Sequence, residues 1–187
     1  MVCIGAIKSV AITGKRENNI EMKEKMMEEF TFFWRGPFAQ WWLSPFTDKN
    51  GVEYRWAETY MMYQKALLFN DTVIANIILT CNHPRDCQKF GREVHYFDQG
   101  IWDRAARDIV YDGNILKFTQ NPELRSKLFS TAGTTLVEAS PYDDIWGIKL
   151  SETDPRAQNR ATWLGTNWLG ETLTRVRDDL LNQVKIR

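Results

Sequence analysis

The sequence predicts one α+β domain that is mostly helical and carries a small β-sheet. Three observations lead to this prediction: apolar residues recur at helical spacing through much of the chain beyond residue 58, aromatic-rich runs precede that region, and a hairpin-type turn follows those runs. The chain has 187 residues and 43% of them are hydrophobic, so it is long enough to bury a substantial core within one domain.

The first 29 residues differ from the rest, and we predict that residues 1–29 form an N-terminal extension and residues 30–187 the domain itself. Within the extension, Ile4–Ile12 is a candidate strand and Asn18–Glu29 is a charged segment of helical character. Aromatic residues become dense immediately afterwards. The turn Asp48–Gly51 is typical of a hairpin, and its flanking residues are predicted to form the small sheet.

Helices dominate the remaining prediction, and each is placed by apolar spacing together with a cap, a proline or a glycine. One segment, Val73–Thr80, is ambiguous, because Asp71 and Thr72 offer helix caps while its β-branched residues equally suit a strand. Gly91 and Gly113 are predicted to lie at or beyond helix ends. The other predicted elements are helices Glu58–Phe69, Pro84–Phe90, Asp103–Val110 with a resumption at Ile115–Phe118, and Pro122–Phe129 capped by Asn121, then strand Thr134–Glu138 and a last helix Leu169–Val184.

Charge and cysteine content exclude several classes of protein. Lysine plus arginine and aspartate plus glutamate both number 24, so nothing indicates a broad electrostatic surface for nucleic acid or an anionic membrane. No apolar run approaches the ~20 residues that a membrane span needs. Cys3, Cys81 and Cys87 are an odd number without a preceding secretory signal, so we expect a cytoplasmic protein with reduced thiols.

A metal site is not expected either. Cys81, His83 and Cys87 are close in sequence, but a structural zinc normally takes four ligands in paired spacings, and no second pair is near. We therefore expect neither a metal nor another cofactor.

The segment Trp56–Ala66 carries the clearest chemical signal. On a helix, Glu58, Met61, Met62 and Lys65 share one face, so an acid and an amine stand together on an otherwise apolar surface. Burial lowers the pKa of an amine and frees its lone pair to attack a carbonyl-like carbon. The alternative is a surface helix in which the lysine stem covers apolar neighbours and its ammonium stays in water.

Seven stretches of the chain carry a resemblance to a known family. They are Phe33–Phe38 (FWRGPF), Glu58–Ala66 (ETYMMYQKA), Lys89–Val94 (KFGREV), Lys117–Pro122 (KFTQNP), Leu136–Asp143 (LVEASPYD), Trp146–Gly147 (WG) and Trp163–Asn167 (WLGTN). From about Phe30 to about Arg177 the chain resembles the NADAR family of YbiA-like N-glycosidases. The resemblance implies the YbiA-like fold and cleavage of the bond between a ribose anomeric carbon and a base nitrogen.

The resemblance also implies roles for single residues. Lys65 takes the role of an amine that adds to the ring-opened anomeric carbon, Glu58 that of a proton-transfer group, and Asp143 that of an acid on a loop acting on ribose hydroxyls or protons. About 10 Å of helix axis separates Glu58 from Lys65, so direct contact between them is not expected. Asp143 is equally interpretable as a turn residue after Pro141.

Eight further residues are implied as substrate-binding. Trp34 and Trp146 are candidates for stacking on the base, although either also suits a core. Guanidinium groups match phosphate oxygens, although each of them also suits a solvated salt bridge. The phosphate candidates are Arg35, Arg92 and Arg160, and the candidates for a polar rim are Tyr60, Gln64 and Glu138.

The leading hypothesis is therefore an N-glycosidase that hydrolyses the bond between a phosphorylated ribose and a base nitrogen. Family members act on riboflavin-pathway intermediates or remove ADP-ribose from guanine, so the expected substrate is ADP-ribosylated guanine or a phosphoribosyl amine, with ADP-ribosylated nucleic acid as a further candidate. The alternatives are a non-catalytic module that binds ADP-ribose or a nucleotide, and a structural protein with tryptophans at an interface. The sequence does not fix the oligomeric state.

Two residues depart from the family pattern. Ala57 stands where a small hydroxyl residue usually precedes the family glutamate, so a helix cap is missing. Lys149 stands where glycine often follows the Trp-Gly-Ile motif, which places a charged side chain on that loop.

Overall fold

The computed structural model describes residues 28–185, which form six α-helices and two two-stranded sheets within that range. The predicted fold class, α+β and mostly helical, is confirmed. The helices are α1 (Ala57–Leu68), α2 (Thr72–Leu79), α3 (Pro84–Arg92), α4 (Gln99–Gln120), α5 (Pro122–Phe129) and α6 (Trp168–Lys185). Two short 3-10 turns, Pro155–Gln158 and Arg160–Thr162, lie in the segment before α6.

The four strands make two separate pairs. Strand β1 (Phe30–Phe33) runs parallel to β4 (Thr135–Glu138), with Phe33 opposite Glu138. Strands β2 (Phe46–Thr47) and β3 (Glu53–Tyr54) form the predicted antiparallel hairpin. Gly51 has a φ of 82° in its turn, a left-handed conformation that glycine adopts at little cost.

Helix α1 lies at the centre of the helical layer and packs against α2, α3 and α4, while α6 packs against α4 and β4. The largest core cluster joins buried residues of all these helices with those of β1 and β4. The helices and the parallel strand pair therefore share one core.

The segment with two interpretations is helical. It forms α2, and the predicted cap is present, since Asp71 accepts a hydrogen bond of 3.0 Å from the backbone N–H of Ile74. The helix interpretation of Val73–Thr80 is therefore confirmed.

The cap predicted at Asn121 is different. Asn121 precedes α5 as predicted, but its side chain makes no capping bond to that helix. Its amide nitrogen instead donates to the carbonyl oxygens of Lys117 and Pro45.

Two glycines that were predicted to end helices lie inside them, so both predictions were wrong. A Cβ at Gly91, in the last turn of α3, would stand 2.1 Å from the Met62 sulfur. A Cβ at Gly113, within the continuous α4, would stand 2.6 Å from the Tyr60 ring. Both glycines are needed because another helix approaches closely, and close approach is invisible to a local signal.

The predictions for the N-terminal extension, Ile4–Ile12 and most of Asn18–Glu29, lie outside the described residues. Over residues 28–185, none of the helices combines the length and the apolar character needed to cross a bilayer.

Candidate active site

Glu58 lies in the first turn of α1 and is 5% exposed. The cap position of this helix is Trp56 and not residue 57, where the cap was expected, because Ala57 is already the first helical residue. Trp56 is extended and makes no side-chain cap, and the backbone N–H of Glu58 donates to the carbonyl oxygen of Gln40 at 3.1 Å. Burial raises the pKa of Glu58 to about 7, and the negative charge of Asp143 acts in the same direction. The Trp41 side chain and the cations Arg92 and Lys65 oppose this rise in pKa.

Lys65 lies further along the same face of α1, and its side chain is half-buried. Its Nζ donates a hydrogen bond of 2.7 Å to the carbonyl oxygen of Gly91 and stands 4.2 Å from the Phe97 ring centroid and 5.5 Å from that of Trp102. Burial lowers the pKa of the amine, the positive charge of Arg92 lowers it further, and Glu58 raises it. The amine thus lies in an aromatic corner rather than in bulk water.

Glu138 is the last residue of β4 and brings a second carboxyl group to the site, with one of its two oxygens buried. Its backbone N–H donates to Asn167 Oδ1 at 2.9 Å, and its carbonyl oxygen accepts from Ile148 at 2.9 Å. Burial raises the pKa of Glu138 to about 8, and the charges of Asp143 and Glu58 add to the rise. Within residues 28–185, the buried Oε2 of this side chain has no hydrogen-bond partner.

Asp143 combines a turn function with proximity to both glutamates. Its Oδ1 accepts hydrogen bonds from the backbone N–H groups of Ile145 at 2.9 Å and Trp146 at 2.7 Å, as in an Asx turn. Its charge nevertheless raises the pKa of both buried glutamates. The turn and acid interpretations of Asp143 are therefore compatible.

The two predicted tryptophans differ in environment. Trp34 is 40% exposed; it lies 5.8 Å from the Tyr142 ring, and the Arg35 guanidinium stacks on it at 4.9 Å. Trp34 directly follows Phe33, the residue paired with Glu138, so it leaves β1 at the same end of the strand pair as Glu138. Trp146 is half-buried and packs edge-on against Trp168 at the margin of the main core.

Arg92 and Arg160 also occupy different places. Arg92, the last residue of α3, is exposed and close enough to Glu58 and Lys65 to shift the pKa of each. Arg160 binds Glu28 and Glu171 and stacks on Trp163 at 4.8 Å. Because Trp163 packs on Phe30, Arg160 lies at the opposite end of the parallel strands from Glu138.

Tyr60 and Gln64 lie on the other side of α1 from Glu58 and Lys65. They line a cleft of about 280 Å³ together with Asp48 and Asp112. Burial raises the pKa of the Tyr60 phenol to about 12. The helical period predicts this position on the other side of α1, because Tyr60 and Gln64 fall about 200° and 240° around the helix axis from Glu58.

Sequence reasoning missed a buried polar cluster between α4 and the loop before β2. Lys117 is fully buried, and its Nζ donates to the carbonyl oxygen of Ala39 at 3.1 Å. Asn114, one turn earlier, donates to Gln40 Oε1 at 3.0 Å, and Gln40 is the residue that binds the N–H of Glu58. Lys117 was noted only within a family motif; its position on the apolar face of a long helix was the signal of burial.

A metal-binding arrangement is not found in residues 28–185, where no three His, Cys, Asp or Glu side chains group closely enough to hold an ion. Cys81 and Cys87 are both free thiols.

Comparison with known proteins identifies the family. The NADAR domain profile matches residues 30–181. The chain belongs to the NADAR family. This NADAR chain is 42% identical over 146 residues to the N-glycosidase R617 of Acanthamoeba polyphaga mimivirus, covering 76% of this chain and 86% of the relative. It is 29% identical over 133 residues to the N-glycosidase Npun_R5314 of Nostoc punctiforme, covering 70% of this chain and 78% of that protein.

A plant relative and a solved structure extend the comparison. The NADAR chain is 29% identical to the chloroplastic riboflavin biosynthesis protein PYRR of Zea mays, of which it spans 22%. The NMR structure of the E. coli protein YbiA superposes with a TM-score of 0.70 at 23% identity, covering 87% of this chain and 90% of YbiA. This likeness confirms the predicted YbiA-like fold.

The NADAR motif glycines of this chain are explained by close packing around the site. A Cβ at Gly165 would stand 2.4 Å from the carbonyl oxygen of Gly147, and one at Gly147 would stand 2.9 Å from that of Glu138. Asn167, fully buried with a φ of 54°, donates to the carbonyl oxygen of Leu136 at 3.0 Å and accepts from Glu138. The Trp146–Gly147 and Trp163–Asn167 motifs therefore hold the end of β4 in place.

Proposed function

We propose that this protein is a hydrolase that cleaves the N-glycosidic bond between a phosphorylated ribose and a base nitrogen. Relatives of this chain carry the name N-glycosidase at up to 42% identity. The observation that carries the proposal is the arrangement on one face of α1, where the Lys65 amine lies against aromatic rings and the Glu58 carboxyl is buried beside the polar end of β4.

The lysine acts as the nucleophile. Its lowered pKa increases the fraction of neutral amine at neutral pH, and only the neutral amine has a lone pair. The ribose ring opens as its ring oxygen leaves the anomeric carbon with a proton, and Lys65 Nζ adds to that carbon. Departure of the base then leaves an imine between Lys65 and the sugar, and water hydrolyses the imine to return the amine and release the sugar.

Glu58 transfers protons in these steps. Its pKa near 7 places the carboxyl between its two states at neutral pH, so it can give a proton to the ring oxygen and accept one from the added amine. Asp143 binds ribose hydroxyls through the carboxylate oxygen that is not engaged in the turn. The distance between amine and acid along α1 matches a sugar lying between them rather than a direct contact.

Substrate recognition is divided between aromatic and cationic groups. Trp34 with Arg35 stacks on the base, and Arg92 binds the phosphate next to Lys65. Glu138 contributes a buried carboxyl group beside the sugar, and Trp146 supports the loop of Asp143. Arg160, Tyr60 and Gln64 lie away from these groups and have no part in the proposed binding of the sugar.

ADP-ribosylated guanine and phosphoribosyl intermediates of riboflavin synthesis are the proposed substrate classes, and ADP-ribosylated nucleic acid is the macromolecular form of the first. The second class is supported by the similarity to a riboflavin biosynthesis protein. Both classes present a phosphorylated ribose joined to a nitrogen, which is the chemistry that the amine and acid face suits.

The test is base release followed by mass spectrometry with both substrate classes. The wild-type protein should release free base, and Lys65→Ala should abolish release while the thermal transition stays close to that of the wild type. Lys65→Arg keeps the positive charge but removes the nucleophile, so it should be equally inactive. Lys89→Ala, an exposed lysine on α3, is the matched control and should remain active. Undiminished release by Lys65→Arg would refute the nucleophilic role.

The alternative is a non-catalytic module that binds ADP-ribose or a nucleotide through the same stacked Trp34 and Arg35. Borohydride added during turnover distinguishes the two, because reduction of an imine attaches the sugar mass to Lys65. Saturable binding with no trapped adduct and no product on long incubation would favour the binding module.

A further inference from the structure

The backbone of Glu138 is fixed from several sides at the end of β4. Its strand pairs with β1, Asn167 binds its N–H, Ile148 binds its carbonyl oxygen, and the missing side chain of Gly147 lets that loop approach. Asn167 is itself fully buried and bonded to Leu136. The fold therefore fixes the point from which the Glu138 side chain leaves the strand, and a catalytic group needs such a fixed base.

The charged groups near Glu58 differ from those near Glu138. The groups that shift the pKa of Glu58 include the Trp41 side chain and the cations Arg92 and Lys65, all of which favour its ionised form. The charged groups that shift the pKa of Glu138 are only carboxylates, those of Asp143 and Glu58, and both favour its neutral form. Of two acids in such different surroundings, one keeps its proton and the other gives it up more readily. Here Glu138 is the acid that keeps its proton, and Glu58 is the one that ionises more readily.

An unpartnered buried oxygen completes the argument. Glu138 Oε2 is buried without a hydrogen-bond partner among residues 28–185. A buried ionised oxygen without a partner is costly, whereas a protonated carboxyl group has an O–H that can be donated to a ligand. The second glutamate thus keeps a donor for which residues 28–185 supply no acceptor.

We propose that Glu138 is the catalytic acid that protonates the leaving base nitrogen. This inference rests on the proposed N-glycosidase function and deepens it. The C–N bond breaks, its electron pair stays on the nitrogen, and the nitrogen takes the proton of Glu138 while the Lys65 nitrogen becomes doubly bonded to the sugar carbon. Water then adds to that carbon and returns a proton to the Glu138 carboxylate, so the acid is restored at the end of the cycle.

The test compares two leaving groups on the same sugar phosphate, aniline and 4-nitroaniline, each N-linked to ribose 5-phosphate and corrected for spontaneous hydrolysis. Protonation matters more for the more basic aniline. Glu138→Gln, which has nearly the same shape, should therefore lower release of aniline by about 10²- to 10⁴-fold and that of 4-nitroaniline much less. Glu152→Gln, an exposed glutamate in the loop before the 3-10 turns, is the matched control and should behave as the wild type.

A pH profile gives a second readout. An acid must be protonated to act, so wild-type kcat/KM for aniline release should fall as the pH rises through the pKa values of Glu58 and Glu138. In Glu138→Gln the fall should be less steep, because only the step that belongs to Glu58 remains. If Glu138→Gln fails to fold, Glu138→Asp withdraws the carboxyl group by one methylene. This variant should likewise lose more of the release of aniline than of 4-nitroaniline.

The outcomes separate the inference from the proposed function. Equal losses for both leaving groups, with an active wild type and an alkaline fall as steep as that of the wild type, would assign Glu138 to binding or structure and overturn the inference alone. Absence of base release by the wild type from these compounds, from ADP-ribosylated guanine and from the riboflavin-pathway intermediates would overturn the proposed function and, with it, the role of Glu138.

Discussion

The Nζ of Lys65 lies 2.7 Å from the carbonyl oxygen of Gly91, so the candidate nucleophile of α1 is held by the last turn of α3. The same glycine admits the Met62 side chain, whose sulfur would stand 2.1 Å from a Cβ at that position. One residue thus sets both the packing of two helices and the orientation of the amine.

Gly91→Ala should therefore lower both stability and activity. The added methyl group forces the Met62 side chain or α3 to move, at a cost of about 1–3 kcal/mol in the free energy of unfolding, and it shifts the acceptor of Lys65. Thermal unfolding and borohydride trapping measure the two effects.

Gly100→Ala, in the first turn of α4, is the matched control for that substitution. The nearest atom to its Cβ is the Asp98 carboxylate oxygen at 3.3 Å, the end of a side chain that can shift slightly, so the effect of alanine on stability should be much smaller than at Gly91. Equal effects of the two alanines would contradict the role given to close approach at Gly91.

The substitution Asp143→Asn distinguishes the role of Asp143 in the turn from the effect of its negative charge on the two glutamates. Asparagine accepts the same backbone hydrogen bonds in an Asx turn, so the thermal midpoint should change little. Loss of the negative charge should lower the pKa of Glu58 and of Glu138, which shifts the pH profile of base release towards acid.

Asp143→Ala should lose both functions, with lower stability and lower activity than Asp143→Asn. Asp144→Asn, at an exposed ion pair with Lys149, is the control and should change stability by less than about 1 kcal/mol. An unaltered pH profile in Asp143→Asn would show that Asp143 serves only the turn.

Lys117 should make the free energy of unfolding depend on pH. Burial lowers the pKa of its amine to about 7 in the folded protein, from 10.5. The unfolded chain then binds more protons between those values, so the free energy of unfolding should decline as the pH falls from 10.5 to about 7 and should change no further from this group at lower pH.

Lys117→Met, which keeps the length and loses the amine, should remove this part of the pH dependence in urea unfolding measured between pH 7 and 10. Lys127→Met, at an exposed lysine of α5, should leave the pH dependence as it is. The same slope in Lys117→Met and the wild type would show that Lys117 is charged when folded.

Lys149 has a φ of 55°, the left-handed conformation that explains why glycine suits this position of the family. Lys149→Gly and Lys149→Ala both lose the ion pair with Asp144, but only glycine relieves the backbone. Glycine should therefore be the more stable of the two by about 1 kcal/mol in urea unfolding. A more stable alanine variant would contradict this account.

Local signals predicted much of the fold. The cap at Asp71, the turn before Gly51, the prolines of α3 and α5 and the apolar spacing of α1 act within a few residues of the chain. These signals place the helices and the hairpin because they depend on backbone preferences and on which face of an element is turned away from solvent. The shared face of Glu58 and Lys65 follows from the helical period in the same way.

By itself, therefore, the sequence determined the fold class, most of its helices, the family and the pairing of an acid with an amine on one helix. Only the tertiary structure decided which glycines lie inside helices, that β1 pairs with β4 more than a hundred residues away, and that Lys117 and Asn167 are buried. The physical reason is that close approach and desolvation arise between segments distant in sequence, so no local pattern contains them.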